Sequence, residues 1–303
     1  MLSRRAFIGG GAAAVGGLAA AGGGVALVEH DVLPGRVRLH RMLGRCGDLP
    51  APPPEAGSVQ TRTFRSHRRG RDVAASIVLP AGTRSVRGLR VAVALHGNGA
   101  TGPGTVSGLA LDRYLTQAVR RGAPPFALVA ADGGADSYWH PRADGDDPLG
   151  MILDELLPHL AREGARTDRF GAIGWSMGGF GALVLGRRVG APRMAAVVGS
   201  SPAIFESYED ARSTNRHAFD DADDFARHDV LRHLDRLDGV PVRVDCGTGD
   251  AFTPMVRKLR ERLHPEGRMT EGCHDAAFWR ARLPAQLDFL AHHLAGPRGR
   301  TGS

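Results

Sequence analysis

From about residue 73 onward, short uninterrupted apolar runs alternate with longer stretches whose apolar residues recur at helical spacing. The runs predict strands over 73–79, 91–95, 126–131, 170–173, 194–198 and 242–246, with a short one at 268–271. Between them, helical spacing covers 106–121, where Leu109, Leu111, Tyr114, Leu115 and Val119 form the apolar stripe, and 149–162, crossed by Pro158. It returns at 180–189, 254–263 and 276–294. Strands that are apolar on every residue are buried on both faces, and such strands belong to parallel sheets covered by helices. The alternation therefore predicts an α/β fold, a mostly parallel doubly wound sheet flanked by helices, with functional residues at the carboxyl ends of the strands. No internal repeat interrupts this pattern.

Upstream of the alternation the chain is of a different kind. Ser3-Arg4-Arg5-Ala6-Phe7-Ile8 is followed by uncharged residues as far as Glu29, and adjacent arginines before a weakly hydrophobic Gly/Ala-rich segment resemble a twin-arginine export signal. Eight glycines between Ala6 and Val28 argue against a core helix, since each costs about 1 kcal/mol relative to alanine. Ala19-Ala20-Ala21 offers small residues for cleavage before Gly22, while the 23-residue run is also long enough to remain as a membrane anchor. Cys46, beside Arg45 and far beyond the apolar run, does not suit lipid attachment. Pro50, Pro52, Pro53 and Pro54 read as a stiff linker. The expected organisation is a signal or anchor at 1–28, an extension and Pro-rich linker at 29–72, a catalytic domain at 73–296, and a flexible tail at 297–303.

Composition narrows the function classes. With 42% hydrophobic and 23% charged residues, the 303-residue chain is too apolar to be disordered, and one long uncharged run is too few for a multi-pass membrane protein. The net charge of +7 comes almost wholly from arginine, Lys258 being the single lysine. Those arginines are interleaved with aspartates and aromatics are only 6%, so no stacking platform or basic stripe for nucleic acid emerges.

The strongest chemical signal is Gly174-Trp175-Ser176-Met177-Gly178-Gly179, preceded by a predicted strand and followed by a predicted helix. Glycines two before and two after a serine permit a strand-to-helix turn sharp enough to push the Ser176 hydroxyl above the sheet edge. The free N–H groups and partial positive charge of the following helix then favour a developing oxyanion, with the Met177 N–H as one donor. In this setting the sequence resembles the α/β-hydrolase superfamily. Ser-Met-Gly-Gly-Phe-Gly-Ala, 176–182, is similar to the esterase D, feruloyl esterase and antigen 85 mycolyltransferase group, and the resemblance spans about 73–294. It implies the α/β-hydrolase fold and acyl transfer from an ester without metal or organic cofactor.

The superfamily order of serine, acid, histidine selects the other two groups. His274, in Gly272-Cys273-His274-Asp275 ahead of a helix bearing Phe278 and Trp279, resembles the family's histidine loop; His264 competes but sits at a helix end before Pro265. Asp250, leaving a strand through Gly247-Thr248-Gly249, resembles the acid loop; Asp245, within the strand, is the alternative. Asp220, Asp221, Asp223 and Asp224 read as a solvated acidic face or helix caps. A second oxyanion donor is expected in Leu95-His96-Gly97-Asn98-Gly99, from the Asn98 N–H, with His96 supporting the turn. Tyr138, Trp139 and Trp175 are candidate walls of the substrate cleft, Asp132 orienting the loop that carries the first two. The interruption at 200–228, with Phe205, Tyr208, Phe219 and Phe225, is expected to form a short lid.

Export permits a disulfide, and if the strands ending at Cys246 and preceding Cys273 are neighbours, a Cys246–Cys273 bridge would join the acid and base loops, leaving Cys46 unpaired. No cysteine or histidine grouping has metal-ligand spacing. The sequence thus predicts an exported serine esterase acting on small-molecule or lipid esters through Ser176, Asp250 and His274, extracellular or associated with the cell envelope. Two alternatives stay open: an acyltransferase of the mycolyltransferase type acting on envelope glycolipids, and a non-catalytic envelope-binding protein on the same fold. Chain length of the acyl group and oligomeric state are not written in the sequence.

Overall fold

The protein is described by a computed structural model over residues 36–296. Residues 1–35, which include the twin-arginine segment and the uncharged run, and the 297–303 tail lie outside the described residues. Eight strands form one sheet in the order β1-β2-β4-β3-β5-β6-β7-β8. They are β1 (Ser58–Ser66), β2 (Arg71–Leu79), β3 (Arg90–Leu95), β4 (Phe126–Ala131), β5 (Arg166–Trp175), β6 (Met194–Ser200), β7 (Val242–Gly247) and β8 (Met269–Thr270). β2 pairs antiparallel with both neighbours, and every pairing from β4 through β8 is parallel. The carboxyl ends of β3 to β8 therefore share one edge, which is where a doubly wound sheet presents its chemistry.

The central strands are buried on both faces because their side chains alternate between two cores. Val91, Val93 and Leu95 of β3 join the core beneath helices Met177–Arg193 and Thr253–Leu263, while Ala92 and Ala94 join the one beneath Leu111–Arg120 and Ala276–Ala295. Among the described residues no helix is long and apolar enough to cross a membrane.

Three expectations need correcting. The sheet begins at Ser58, not at 73: β1 pairs along its whole length with β2, so the catalytic domain takes in a segment assigned to the linker. β1 escaped notice because it lies at the sheet edge and seven of its nine residues are polar or charged. The helix expected over 106–121 is two helices, Gly102–Leu109 and Leu111–Arg120, because Ala110 adopts φ 53°. The one expected over 149–162 is a composite whose middle turn, Met151–Leu156, is a wider π turn just before Pro158.

The proline-rich stretch is not a free linker either. Arg280 donates to Pro50 O, Arg113 to Pro53 O, and Arg120 pairs with Glu55, so residues 50–55 run over the helices of the domain.

Candidate active site

The turn after β5 is built as the glycine spacing demands. Ser176 has φ 56° and ψ −119°, a conformation that costs a non-glycine residue roughly 1–3 kcal/mol and persists only where its surroundings enforce it. A Cβ on Gly174 would overlap the Gly178 carbonyl, and one on Gly178 would overlap the Leu95 carbonyl, so neither position tolerates a side chain. The Ser176 N–H donates to Ser200 O on β6 and its carbonyl accepts from Phe180 and Ala203, which holds the turn from three sides.

The structure brings Ser176, His274 and Asp250 together from three strand ends. His274 Nε2 lies 2.8 Å from Ser176 Oγ, and His274 Nδ1 lies 2.8 Å from Asp250 Oδ2. The second oxygen of Asp250 accepts the Phe252 N–H at 2.9 Å, and the carboxylate is fully buried. A buried carboxylate on Nδ1 requires the Nδ1 proton, which leaves Nε2 as the acceptor facing the serine hydroxyl. The imidazole stands between Phe252 and Trp279, with ring centroids 5.3 and 5.2 Å away.

The competing residues are accounted for elsewhere. Asp245 is buried against Arg243, the Arg268 N–H and Gln286. His264 caps its helix with φ 50°. Asp221 caps helix Ala222–His228 by accepting from the Asp224 N–H. Asp224 departs from the acidic-face reading: it is buried and accepts from the Asp220 N–H, with the His228 ring 3.0 Å away.

Ser176 and His274 lie on a cleft of about 520 Å³ whose walls include Leu109, Tyr138, Trp175, Phe252 and Trp279, with Thr214 and Asn215 of the lid region at its rim. Burial pushes the Tyr138 phenol up to about 12, with Asn215 beside it pulling the other way, so this wall stays uncharged. Gly97 and Asn98 border the same cleft, and Met177 is the first residue of its helix, so its N–H has no partner within that helix. The β3 loop is held by His96, whose Nε2 accepts the Gly133 N–H at 2.9 Å while Nδ1 donates to Gly97 O.

Trp139 is not a cleft wall. It is fully buried, its indole donates to His96 O at 3.1 Å, and its ring packs on Gly133 and Gly181. Asp132 does orient this loop, accepting the Gly134 N–H. Arg69, which sequence reasoning did not single out, anchors the loop by donating to Asp132 O and pairing with Asp146. The lid is rooted in the domain: Phe205 and Phe219 are buried with Tyr138, Phe180 and Phe252 in one aromatic cluster.

The expected Cys246–Cys273 bridge is absent. Cys273 is bonded to Cys46, with Cα atoms 4.8 Å apart, and Cys246 is a buried free thiol. β7 and the base loop do pass close, but at Gly247, where a Cβ would overlap Gly272 O. One residue earlier, Cys246 faces the core beside Thr253, its Sγ 3.9 Å from Oγ1. Burial and the nearby Asp250 charge raise its thiol pKa, which keeps it protonated.

The strand order, the sharp turn after β5 and the three groups at one sheet edge define an α/β-hydrolase-fold enzyme. A sequence model of the Esterase family matches residues 66–290, and the chain belongs to that family, as a carboxylic ester hydrolase of the serine type. Solved structures with the same fold include a ferulic acid esterase (21% identity, TM-score 0.69, covering 79% of this chain and 99% of that one). An S-formylglutathione hydrolase from Agrobacterium tumefaciens is similar over 79% of this chain and 96% of its own, at 14% identity and TM-score 0.64. MPT51 (FbpC1) of Mycobacterium tuberculosis matches over 79% and 100%, at 17% identity and TM-score 0.63. No curated protein sequence matches this one significantly.

Proposed function

We propose that this esterase cleaves uncharged carboxylic esters through an acyl-enzyme on Ser176. The observation that carries the reading is the unbroken chain of two 2.8 Å contacts, Ser176 Oγ to His274 Nε2 and His274 Nδ1 to Asp250 Oδ2. Ser176 Oγ attacks the ester carbonyl as its proton passes to Nε2, and Asp250 stabilises the imidazolium that forms. The Met177 and Asn98 N–H groups receive the oxyanion. Collapse expels the alcohol, which takes the proton from His274, and a water deprotonated by the same imidazole releases the acid. The neutral cleft walls support apolar or aromatic ester substrates over charged ones.

We further infer export by the twin-arginine route. The reading rests on Arg4-Arg5 and the uncharged run after them, and the Cys46–Cys273 disulfide is consistent with an oxidising compartment.

The test is labelling with a fluorophosphonate probe alongside turnover of p-nitrophenyl esters. Wild-type protein should label and turn over, and Ser176→Ala should do neither. Equal labelling of both proteins would assign the nucleophile elsewhere. Faster release of p-nitrophenol with a sugar or lipid alcohol present, together with an acylated alcohol product, would make the enzyme a transferase.

A further inference from the structure

The base, His274, is carried by a poorly anchored part of the sheet. β8 is only two residues long, and the loop after it turns at Gly272, with φ 143° and Phe278 packed against its Cα. The acid loop, Gly247 to Asp250, likewise leaves β7 through glycines. The two loops hold each other through Thr248 N–H to Thr270 O and Gly249 N–H to Gly272 O, and both are braced further from the other end of the chain. Cys46 is bonded to Cys273, the residue immediately before His274. His40, buried on helix Arg36–Met42, packs its ring on Gly249, immediately before Asp250, so closely that a Cβ there would overlap it. The segment then continues along the domain through Pro50, Pro53 and Glu55 to β1.

We propose that residues 36–57 are a positioning strap for the catalytic acid and base, with Cys46 fixing the His274 loop and His40 fixing the Asp250 loop. The proposal rests on the reading of Ser176, His274 and Asp250 as the catalytic groups. Neither Cys46 nor His40 touches substrate; each acts through the neighbour of a catalytic residue. Both loops must hold their side chains within hydrogen-bond reach during turnover, and displacement of about 1 Å can cost on the order of 10²-fold in rate. Loosening the strap therefore lowers kcat and leaves the cleft walls, and so KM, largely in place.

The experiment compares full-length Cys46→Ser, His40→Ala and His40→Phe with wild type. It records kcat and KM for p-nitrophenyl acetate across pH 5–9, thermal melting, and thiol content. The expected result is a fall in kcat of about 10-fold or more in Cys46→Ser and His40→Ala, with KM within about twofold. The acid limb of the kcat profile should also shift, because the Asp250–His274 contact is loosened. His40→Phe, which restores a ring on Gly249, should recover most of the rate. Wild-type kcat in a folded Cys46→Ser overturns the proposal. If Cys46→Ser does not fold, the His40 pair decides: equal kcat in His40→Ala and wild type overturns it. Fluorophosphonate labelling of Ser176→Ala at the wild-type level would sink the underlying catalytic reading instead, whatever the strap variants do.

Discussion

The Asp250 carboxylate accepts from both its own loop and the base: Oδ1 takes the Phe252 N–H at 2.9 Å and Oδ2 faces His274 Nδ1 at 2.8 Å, with no exposure to solvent. Both oxygens are thus committed, and the imidazole they orient is held in one tautomer. Asp250→Asn keeps the shape but can present its amide N–H to Nδ1, which forces the proton to Nε2 and removes the base. We expect kcat to fall about 10³–10⁴-fold with KM and melting temperature little changed. Steady-state kinetics with a p-nitrophenyl ester check this, and a loss under tenfold would remove Asp250 from the role of acid.

The turn at Ser176 depends on the absence of two side chains. At Gly178 a Cβ would overlap the Leu95 carbonyl, which belongs to β3 and cannot retreat without breaking the sheet. Gly178→Ala should destabilise the fold by about 3 kcal/mol or more and abolish turnover. Gly108→Ala, at a helical position with open space around it, should be neutral or slightly stabilising. Thermal melts of the two variants should therefore move in opposite directions or differ by many degrees.

The sheet strands and the glycine-framed serine were legible because they are local: an apolar run or a six-residue turn carries its own signal. The pairing of Ser176, Asp250 and His274 was legible through chain order and the loops that bear them. What escaped were features decided by distant partners. β1 is an edge strand with mostly polar side chains, and only its pairing with β2 defines it. Cys46 lies 227 residues from Cys273, and nothing near either cysteine announces the bond. Trp139 was expected beside Tyr138 in the cleft, but consecutive residues with positive φ, 49° and 61°, turn one ring to the cleft and the other into the core.

That division between the two aromatics and Trp279 separates structure from binding. Trp139→Phe removes the donor to His96 O and leaves a buried carbonyl unpaired, a loss of about 1–3 kcal/mol. Trp279→Ala opens the cleft wall that also flanks His274. The expected contrast is a lower melting temperature with unchanged KM for Trp139→Phe. For Trp279→Ala we expect KM for an apolar ester to rise about tenfold. If Trp139→Phe raises KM while leaving the melt unmoved, the burial assigned to that ring is wrong.

Charge in the substrate should matter for the same reason. The cleft lining contains no lysine, arginine, aspartate or glutamate. A p-nitrophenyl ester whose acyl chain ends in a carboxylate must shed water without gaining a partner, so its kcat/KM should be at least about tenfold below that of the uncharged chain of equal length. Comparable values for the two esters, read at low and high salt, would point to a cation at the cleft that its lining does not contain.

Acid should weaken the contact between the β4 loop and the lid. His140 is buried where the β4 loop meets the lid, with Nε2 donating to Ala218 O at 2.9 Å. Burial pushes its imidazole down to about 4, from about 6.5 in an unfolded chain. Between those values the unfolded chain binds a proton that the native protein refuses, so stability falls as pH drops through that window. Asp224 works in the same direction. Burial alone would raise its carboxyl, but the His228 hydrogen bond and the nearby His140 ring carry it below the usual range, and the stability this gives is lost as the carboxylate is protonated. The wild-type melting temperature should drop by about 5 °C or more from pH 7 to pH 4.5. His140→Gln, which keeps a donor for Ala218 O without a group that titrates, should start lower at pH 7 and show a shallower decline. Parallel melting curves for the two proteins across that range would show that position 140 does not carry the acid sensitivity.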